Sequence, residues 1–173
     1  MDADALREFR REKDLVFKSH VQSPLTPEQR RDFKGLDYYP PNPDLDLVLA
    51  ADEFDEKITI QMQTTTGGVQ SYQKWGQLSF EVKGETATLV LYYTPEHDHF
   101  FLPFMDATSG QTTYSGGRYL DPARLDDGRF GVDFNRAYAP YCAYNEYWTC
   151  PIPPLENRLE VPIEAGEKAF KHV

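Results

Sequence analysis

The N-terminal part of the chain carries apolar residues at helical spacing. Leu6 and Phe17 belong to a series of apolar positions separated by charged residues, which predicts a helix that ends near His20. The segment 26–29 reads Thr-Pro-Glu-Gln, with a capping Thr, a Pro at the first helical position and a Gln at the third. It predicts a second, short helix that ends near Gly35.

Alternating apolar and polar residues replace this pattern after a proline-rich connector at 36–46. Ile58, Ile60 and Met62 alternate with Thr and Gln, as in a strand with one buried face. Short turns that contain glycine join such segments and favour hairpins, and Gly76 inside one segment predicts a bulge. The predicted strands are 45–51, 57–66, 69–83, 88–94, 100–105, 112–120 and 129–134.

These segments predict a mainly β fold, an antiparallel meander that closes into a barrel or a sandwich. Residues 135–157 are rich in Tyr and Pro without a clear period, which predicts a long ordered loop that wraps the sheet. At 173 residues the chain has the length of one domain. We expect a single domain over 1–173, made of N-terminal helices at 1–35, an antiparallel β core at 45–134, the wrapping loop at 135–157 and a final strand at 158–164.

The formal net charge of −10 argues against nucleic acids and membranes as partners, because both bind proteins through basic faces. The chain has no basic and apolar leader at its start and no apolar run of membrane-spanning length, so we expect a cytoplasmic location. The acidic excess fits a halophilic protein and fits equally an ordinary solvated surface. Common nucleotide-binding and metalloprotease motifs are missing from the sequence, so we expect no cofactor.

Two segments of the C-terminal half resemble a known family. One reads Asp-Ala-Thr-Ser-Gly-Gln-Thr-Thr-Tyr-Ser-Gly-Gly-Arg-Tyr-Leu over 106–120, and the other begins Asp-Phe-Asn-Arg-Ala-Tyr-Ala-Pro-Tyr-Cys-Ala-Tyr at Asp133 and continues to Lys168. They resemble the family called domain of unknown function 1684, which implies a mainly β prokaryotic domain with no settled reaction and no agreed cofactor. By this resemblance the family signature falls on Asp106, Thr108, Gly110, Tyr114, Gly117, Arg118, Tyr119, Asp133, Asn135, Tyr138, Pro140, Cys142, Cys150, Pro151, Pro154 and Asn157.

Arg118 and Arg136 are candidate binding residues, because each stands among aromatic residues and next to a turn. A guanidinium can bind a carboxylate or phosphate group of a small ligand through two hydrogen bonds. The alternative is an internal ion pair, such as Arg118 with Asp106 or Asp133, that holds a loop against the sheet. The two interpretations differ in whether the arginine reaches an open cavity.

The segment 135–157 contains the other candidates. Tyrosines recur at every third position from Tyr138 to Tyr147, and they could line a pocket or anchor the loop on the sheet. Cys142 and Cys150 lack the spacing of a zinc knuckle or a C-x-x-C site. A disulfide between them would stabilise by roughly 2–3 kcal/mol on the chain-entropy model, whereas a cytosol keeps thiols reduced. As a nucleophile, Cys142 would need a base, and no histidine is close in sequence.

His97 and His99 place two imidazoles on the same side of an extended chain, which is half of a metal site. A third ligand would have to come from elsewhere, for example His20, Asp106 or Glu96. Both histidines fall outside the family pattern, and short histidine pairs in loops are mostly solvated. We therefore predict that they hold no metal.

The leading hypothesis is a β domain that binds a small anionic molecule or a peptide in a pocket beneath residues 135–157. One alternative is a hydrolase or isomerase that uses Asp106 or Asp133 as a general base and Arg118 or Arg136 as electrostatic stabiliser. Another is a structural or interaction module, in which the same residues would be paired and sealed. The candidate ligand-binding residues are Asp106, Tyr114, Arg118, Asp133, Asn135, Arg136, Tyr138 and Cys142.

Overall fold

Both predicted N-terminal helices are present, and the second ends at Asp32, before the predicted end near Gly35. The computed structural model describes residues 1–171, in which helix α1 covers Ala3–Ser19 and helix α2 covers Pro27–Asp32. The carboxylate of Asp2 caps α1 by accepting two backbone N–H groups of the first turn. α2 begins at a capping box formed by the side chain of Thr26 and the glutamine three residues later. Local capping chemistry is therefore enough to define both starting points.

The rest of the fold consists mainly of antiparallel strands. Within residues 1–171 the strands are β1 Asp46–Leu49, β2 Ala51–Glu53, β3 Thr59–Gln63, β4 Val69–Val82, β5 Glu85–Thr94, β6 His99–Phe104, β7 Arg118–Leu120, β8 Ala123–Arg124 and β9 Phe130–Asp133. One sheet has the order β2, β4, β5, β6, β7, with β3 also paired to β4, and the other has the order β1, β9, β8. The prediction of a mainly β, antiparallel fold is confirmed. Because the pairing of the larger sheet ends at β2 and at β7, that sheet does not close into a barrel.

The predicted strand at 45–51 divides between the two sheets. β1 pairs with β9, whereas β2 pairs with β4, so the chain passes from one sheet to the other at Ala50. The apolar side chains of both sheets meet in a common core. Its most deeply buried members include Leu78, Leu89, Leu91, Leu102, Phe104, Phe130 and Phe134.

β4 spans 14 residues and carries a bulge. Its register with β5 shifts between Lys74 and Gly76, as the glycine predicted. A Cβ atom at Gly76 would lie 2.8 Å from the backbone oxygen of Asp52, so only a glycine allows β2 to approach β4 this closely. β4 then turns into β5 through Lys83 and Gly84, which both have positive φ, as in the tight turns that favour hairpins.

The prediction of a strand over 112–120 is wrong for most of its length. Its last three residues form β7, and residues 106–117 form a series of turns. The first of these turns is held by side chains, since the backbone N–H of Asp106 donates to Ser109 Oγ at 3.1 Å. Such local bonds between side chain and backbone compete with the pairing of strands.

Within the described chain, the predicted final strand over 158–164 is also absent. Arg158 makes one isolated parallel bridge with the residue after β6, and the chain beyond it is bonded by both scattered backbone contacts and side chains. The backbone N–H of Ile163 donates to the carboxylate of Asp106, and its carbonyl accepts a hydrogen bond from Arg118 at 2.8 Å. Buried charged groups thus replace the partner strand.

β5 and β6 pair only near the turn that joins them, and their pairing ends at Tyr92 and Phe101. Beyond this point the side chain of Asn157 lies between the two strands. Its amide group donates to the carbonyls of Val90 and Pro103, both at 2.9 Å, and its oxygen accepts the N–H of Val90 at 2.8 Å. One buried side chain therefore joins the strands where backbone pairing stops.

The segment 135–157 is held on both the sheet and α1. The backbone of Tyr138 exchanges two hydrogen bonds with Tyr119 of β7, at 2.9 and 3.1 Å. On the opposite side, the ring of Tyr144 meets that of Phe17 edge to face at 5.1 Å. Within residues 1–171, no helix has both the length and the apolar character needed to cross a membrane.

Candidate functional site

Arg118 lies in a buried hydrogen-bond network, and its side chain has no exposed surface. One terminal nitrogen of its guanidinium donates to the carbonyl of Ala165 and, at 3.4 Å, to that of Glu167. The other donates to the carbonyl of Ile163 at 2.8 Å and to the carboxylate of Asp106 at 3.4 Å. The side chain of Arg118, the first residue of β7, thereby fixes the C-terminal segment against the sheet.

The carboxylate of Asp106 forms the acidic half of this network and is also fully buried. It accepts hydrogen bonds from the hydroxyl of Thr108 at 2.9 Å and from the backbone N–H of Ile163. The guanidinium of Arg118 lies 5.3 Å above the ring of Phe104. Burial lowers the pKa of Arg118, and the charge of Asp106 opposes that effect. Both groups are paired and sealed, so neither offers a surface to a small molecule.

Glu167 extends the same network to α1. Its carboxylate is almost completely buried and pairs with Lys13 Nζ at 2.7 Å. Within residues 1–171, its second oxygen, Oε1, has no hydrogen-bond partner. Burial raises the pKa of Glu167 above its ordinary value, and the ammonium group of Lys13 opposes the shift. Burial of this carboxylate costs free energy, and the ion pair with Lys13 offsets part of that cost.

Asp133, Asn135 and Arg136 form a separate cluster after β9. The side chain of Asn135 is buried and bonds both the N–H and the carbonyl of Asn42, at 2.7 and 2.8 Å. Arg136 pairs with Asp133 at 3.5 Å on the surface and lies over the ring of Phe9 at 4.6 Å. The cluster joins the connector, α1 and the end of β9.

Cys142 and Cys150 lie together, and both are free thiols. The backbone N–H of Cys142 donates to Cys150 Sγ at 3.3 Å, and the hydroxyl of Tyr114 lies 3.7 Å from Cys142 Sγ. Cys142 is partly exposed, whereas Cys150 is buried. A disulfide between them was one possibility raised by the sequence, and a turn at Tyr141–Ala143 and the docking of the loop bring the two thiols together without a bond.

A cavity of about 530 Å³ lies between the two sheets. The rings of Trp75 and Phe100 meet edge to face at 5.2 Å, and Tyr93 packs on Phe100 at 4.8 Å. The cavity is lined by Trp75, Tyr93, Asp98, His99, Phe100, Pro122, Ala123 and Arg124. A second cavity of about 810 Å³ lies between α2 and the C-terminal segment, and its lining combines charged residues with Phe33 and Phe170.

Arg124 lies on the β8 side of the cavity between the sheets. Its guanidinium lies 5.3 Å above the ring of Trp75. Among the described residues, no carboxylate lies within ion-pair distance of Arg124. A cation beside aromatic rings, with its hydrogen-bond donors unused by an acid, is suited to an anionic group.

The cavity is also lined by two polar residues of the predicted histidine segment. Asp98 has a left-handed backbone conformation, with φ of 45°, and accepts a hydrogen bond from the hydroxyl of Tyr93 at 2.8 Å. His99 Nε2 lies 2.8 Å from one oxygen of Asp121, whose other oxygen accepts the hydroxyl of Tyr138 at 2.7 Å. Tyr138 of the long loop thus helps to position His99 through one carboxylate.

His97 and His99 do not act as a pair. His97 lies in a short turn, Pro95–His97, and His99 begins β6. Across the part of the chain that the structure describes, no cluster of three or more His, Cys, Asp or Glu side chains has the arrangement of a metal site. The absence of bound metal stays a prediction that a metal analysis can test.

The eight candidate residues from the sequence therefore lie in several places rather than in one pocket. Asp106 and Arg118 are in the buried network, and Tyr138 reaches the cavity indirectly through Asp121. Sequence reasoning missed Trp75 and Arg124, because their proximity depends on how the two sheets meet. One signal was present, since Trp75 is the unpaired residue at the bulge of β4 and bulges often redirect a side chain at a site.

Comparison with known proteins identifies the family. The family described as "Protein of unknown function (DUF1684)" matches residues 31–168. The chain belongs to this family. This DUF1684 member is also similar to an uncharacterized protein of Haloarcula marismortui that was solved by solution NMR, with a TM-score of 0.72 and 38% sequence identity over 95% of this chain and 92% of that chain. No curated protein matches the chain.

Membership in DUF1684 supports the resemblance seen in the sequence and gives no reaction. The family description states an unknown function, and the NMR neighbour is uncharacterized. No function is established for either. The ligand-binding, enzymatic and structural hypotheses must therefore be distinguished by the chemistry of the described residues.

Proposed function

We propose that this protein binds a small molecule with a planar ring and a carboxylate or phosphate group in the cavity between the two sheets. The observation that carries the proposal is the position of Arg124, which lies over Trp75 at the cavity wall without a carboxylate partner among the described residues. A guanidinium in such a place can bind an anion through two hydrogen bonds.

The size and the walls of the cavity favour a small ligand. Its volume of about 530 Å³ falls in the range of small-molecule sites, which combine apolar walls with a few polar groups. The ring of a ligand would stack against Tyr93 or Phe100, which are partly exposed, since aromatic pairs are favourable in offset and edge-to-face arrangements. Its anionic group would face Arg124.

Two polar groups would select among such ligands. Asp98 and His99 line the same cavity as Arg124, so a hydroxyl or amine on the ring could donate to the carboxylate of Asp98. The left-handed backbone of Asp98 is uncommon for a residue other than glycine, and strained residues concentrate at functional sites. A ring with an acid at one end and a hydrogen-bond donor at the other fits this distribution of charge.

This proposal moves the predicted pocket from beneath residues 135–157 to the space between the sheets. Arg118 has no part in it, because its guanidinium is committed to buried acceptors. Tyr138 keeps an indirect part, because it holds Asp121, which contacts His99. The anionic small molecule expected from the sequence is retained as the ligand class.

Tryptophan fluorescence offers a direct test. The chain has two tryptophans, and Trp148→Phe leaves Trp75 as the single reporter at the cavity. This variant would be titrated with benzoate, 4-hydroxybenzoate and phenyl phosphate. Neutral benzamide and cationic benzylamine would serve as chemical controls. We expect saturable fluorescence changes with the anions and weaker or no changes with the controls.

Arg124→Ala in this background should weaken binding of the responding anion by roughly 10- to 100-fold, the usual effect of losing a hydrogen bond to a charged group. The matched control is Arg129→Ala, because Arg129 lies in the same hairpin, pairs with Asp127 and does not line the cavity. Equal affinity in both variants, or no saturable response to any of the anions, would contradict the proposal.

A further inference from the structure

Cys142 and Cys150 form a pair whose chemistry is independent of the ligand cavity. The two residues are eight positions apart and lie in contact, with the backbone N–H of Cys142 directed at Cys150 Sγ at 3.3 Å. Both are unbridged. Cys142 is partly exposed and Cys150 is 6% exposed, so a reagent from solution meets Cys142 first.

Tyr114 and Thr65 lie beside the cysteine pair. The hydroxyl of Tyr114 lies 3.7 Å from Cys142 Sγ, and the hydroxyl of Thr65 donates to the carbonyl of Trp148 at 3.5 Å. Thr65 in addition accepts the backbone N–H of Cys150 at 3.2 Å, while its own N–H donates to the carbonyl of Cys150 at 3.0 Å. The turn after β3 therefore holds the second cysteine beneath the first.

The surroundings favour the thiolate on Cys142 and the thiol on Cys150. A hydrogen bond from Cys150 is the largest cause that lowers the pKa of Cys142 to about 6, with a further contribution from Tyr114. The same interaction and burial raise the pKa of Cys150. The titratable groups that face the pair are Tyr114 and Tyr119, whose own pKa values are raised mainly by burial.

We propose that Cys142 and Cys150 form a redox-active dithiol that exchanges with disulfides of low-molecular-weight thiols. The exposed Cys142 is the attacking residue, and the buried Cys150 is the resolving residue. This inference does not depend on the proposed ligand cavity, which is not lined by either cysteine.

The exchange proceeds in two substitutions at sulfur. The Cys142 thiolate attacks one sulfur of a disulfide RSSR, the S–S bond breaks, and one RS⁻ leaves. Cys150 loses its proton to this thiolate and attacks Cys142 Sγ, which expels the second RS⁻ and closes the Cys142–Cys150 bond. The two cysteines lose two electrons and two protons in total, and RSSR is reduced to two RSH.

Trapping of the mixed disulfide tests the order of these steps. The reduced native protein would be incubated with oxidised glutathione near neutral pH and measured by intact-mass spectrometry and peptide mapping. Wild type should lose two hydrogens and keep no glutathionyl group. Cys150→Ser should accumulate one glutathionyl group on Cys142, because the resolving thiol is missing. Cys142→Ser should stay unmodified while folded.

The outcomes separate the proposal from its alternatives. A Cys150→Ser protein that gains no adduct, or a Cys142→Ser protein that reacts as fast as Cys150→Ser, would overturn the assignment of roles. A wild-type disulfide that forms only in urea would overturn the proposal itself. If a variant fails to fold, the rates at which iodoacetamide alkylates the two cysteines of the wild type test the same roles. We expect Cys142 to react at least about tenfold faster than Cys150 near pH 7, and equal rates would overturn the assignment.

Tyr114 should act as a positioning residue for the thiolate. Tyr114→Phe removes a hydrogen bond that favours the charged sulfur, so the pH midpoint of Cys142 alkylation should rise. The control is Tyr141→Phe, which removes a hydroxyl from the adjacent, more exposed ring. Equal midpoints for the two variants, with equal melting temperatures, would show that Tyr114 has no influence on the thiolate.

Discussion

Arg118 and Arg124 are six residues apart and have the same aromatic contact but opposite surroundings. Each guanidinium lies 5.3 Å above a ring, that of Phe104 for Arg118 and that of Trp75 for Arg124. Arg118 is fully buried and bonded to three backbone carbonyls and a carboxylate. Arg124 is exposed, and no described carboxylate pairs with it. An arginine beside an aromatic residue is therefore not by itself a sign of a binding site.

The difference arises from what covers each strand. The C-terminal segment crosses over β7 and presents the carbonyls of Ile163 and Ala165 to Arg118. β8 borders the cavity between the sheets, so Arg124 faces open space. The acceptors of Arg118 are already supplied by the chain, whereas those of Arg124 would have to be supplied by a ligand.

The largest effect that we expect comes from Arg118→Ala. Removal of the guanidinium leaves the carboxylate of Asp106 buried without its cation and three carbonyls without their donor. We expect a loss of about 3–5 kcal/mol in the free energy of unfolding, as is usual when one member of a buried ion pair is removed. Urea unfolding followed by circular dichroism measures the change.

Arg136→Ala is the matched control, because Arg136 pairs with Asp133 at the surface. We expect a change of less than about 1 kcal/mol, the usual range for exposed pairs. Similar unfolding free energies for Arg118→Ala and Arg136→Ala would show that the buried network does not stabilise the fold. The structural role assigned to Arg118 would then be wrong.

A smaller, pH-dependent effect should follow from Lys13→Met. This change leaves the buried carboxylate of Glu167 without its cation and should cost about 1.5–3 kcal/mol near neutral pH. Burial raises the pKa of Glu167 in the folded state, so protonation of this carboxylate favours folding. The stability gained by protonation is lost as the pH rises through the folded-state pKa. The cost of the substitution should therefore be larger near pH 7.5 than near pH 5.

Urea unfolding at these two pH values measures the effect. Lys83→Met supplies the control, since Lys83 pairs with Glu164 and both side chains are about half exposed. Its effect should be within about 1 kcal/mol at either pH. A cost for Lys13→Met that stays the same or grows toward pH 5 would contradict a raised pKa for Glu167.

The smallest effect on stability should come from Arg124→Ala. Only the contact with the ring of Trp75 is lost, which is worth less than about 1 kcal/mol at an exposed position. The comparison with Arg118→Ala in the same unfolding assay is direct. If Arg124→Ala were as destabilising as Arg118→Ala, Arg124 would have a structural role, and the ligand-binding proposal would be weakened at its central residue.

The sequence predicted those parts of the fold that depend on neighbours along the chain. The capping box at Thr26, the glycine turns of the hairpins and the bulge at Gly76 are all local, and all appear in the structure. The strand expected at 112–120 failed because local turns bond the backbone over 106–117. The strand expected at 158–164 failed because distant side chains bond the backbone of Ile163. Alternation of residue types carries no information about such partners.

The same reasoning explains which site residues could be predicted. Pairing of Arg118 with Asp106 was one of the expected alternatives, since the two charges lie close in sequence. The contact between Cys142 and Cys150 needs a loop conformation that no motif specifies. The cavity needs the mutual placement of two sheets, and its residues come from β4, β5, β6 and β8 and the turns beside them.

The bridge made by Asn157 has a consequence for synthesis of the protein on the ribosome. Val90 and Pro103 emerge long before Asn157, so the facing edges of β5 and β6 stay unpaired until most of the chain has been translated. Open strand edges are sites of association between nascent chains. We expect chains truncated before Asn157 to bind chaperones and to precipitate, and release of the complete chain to be the step that protects the sheet.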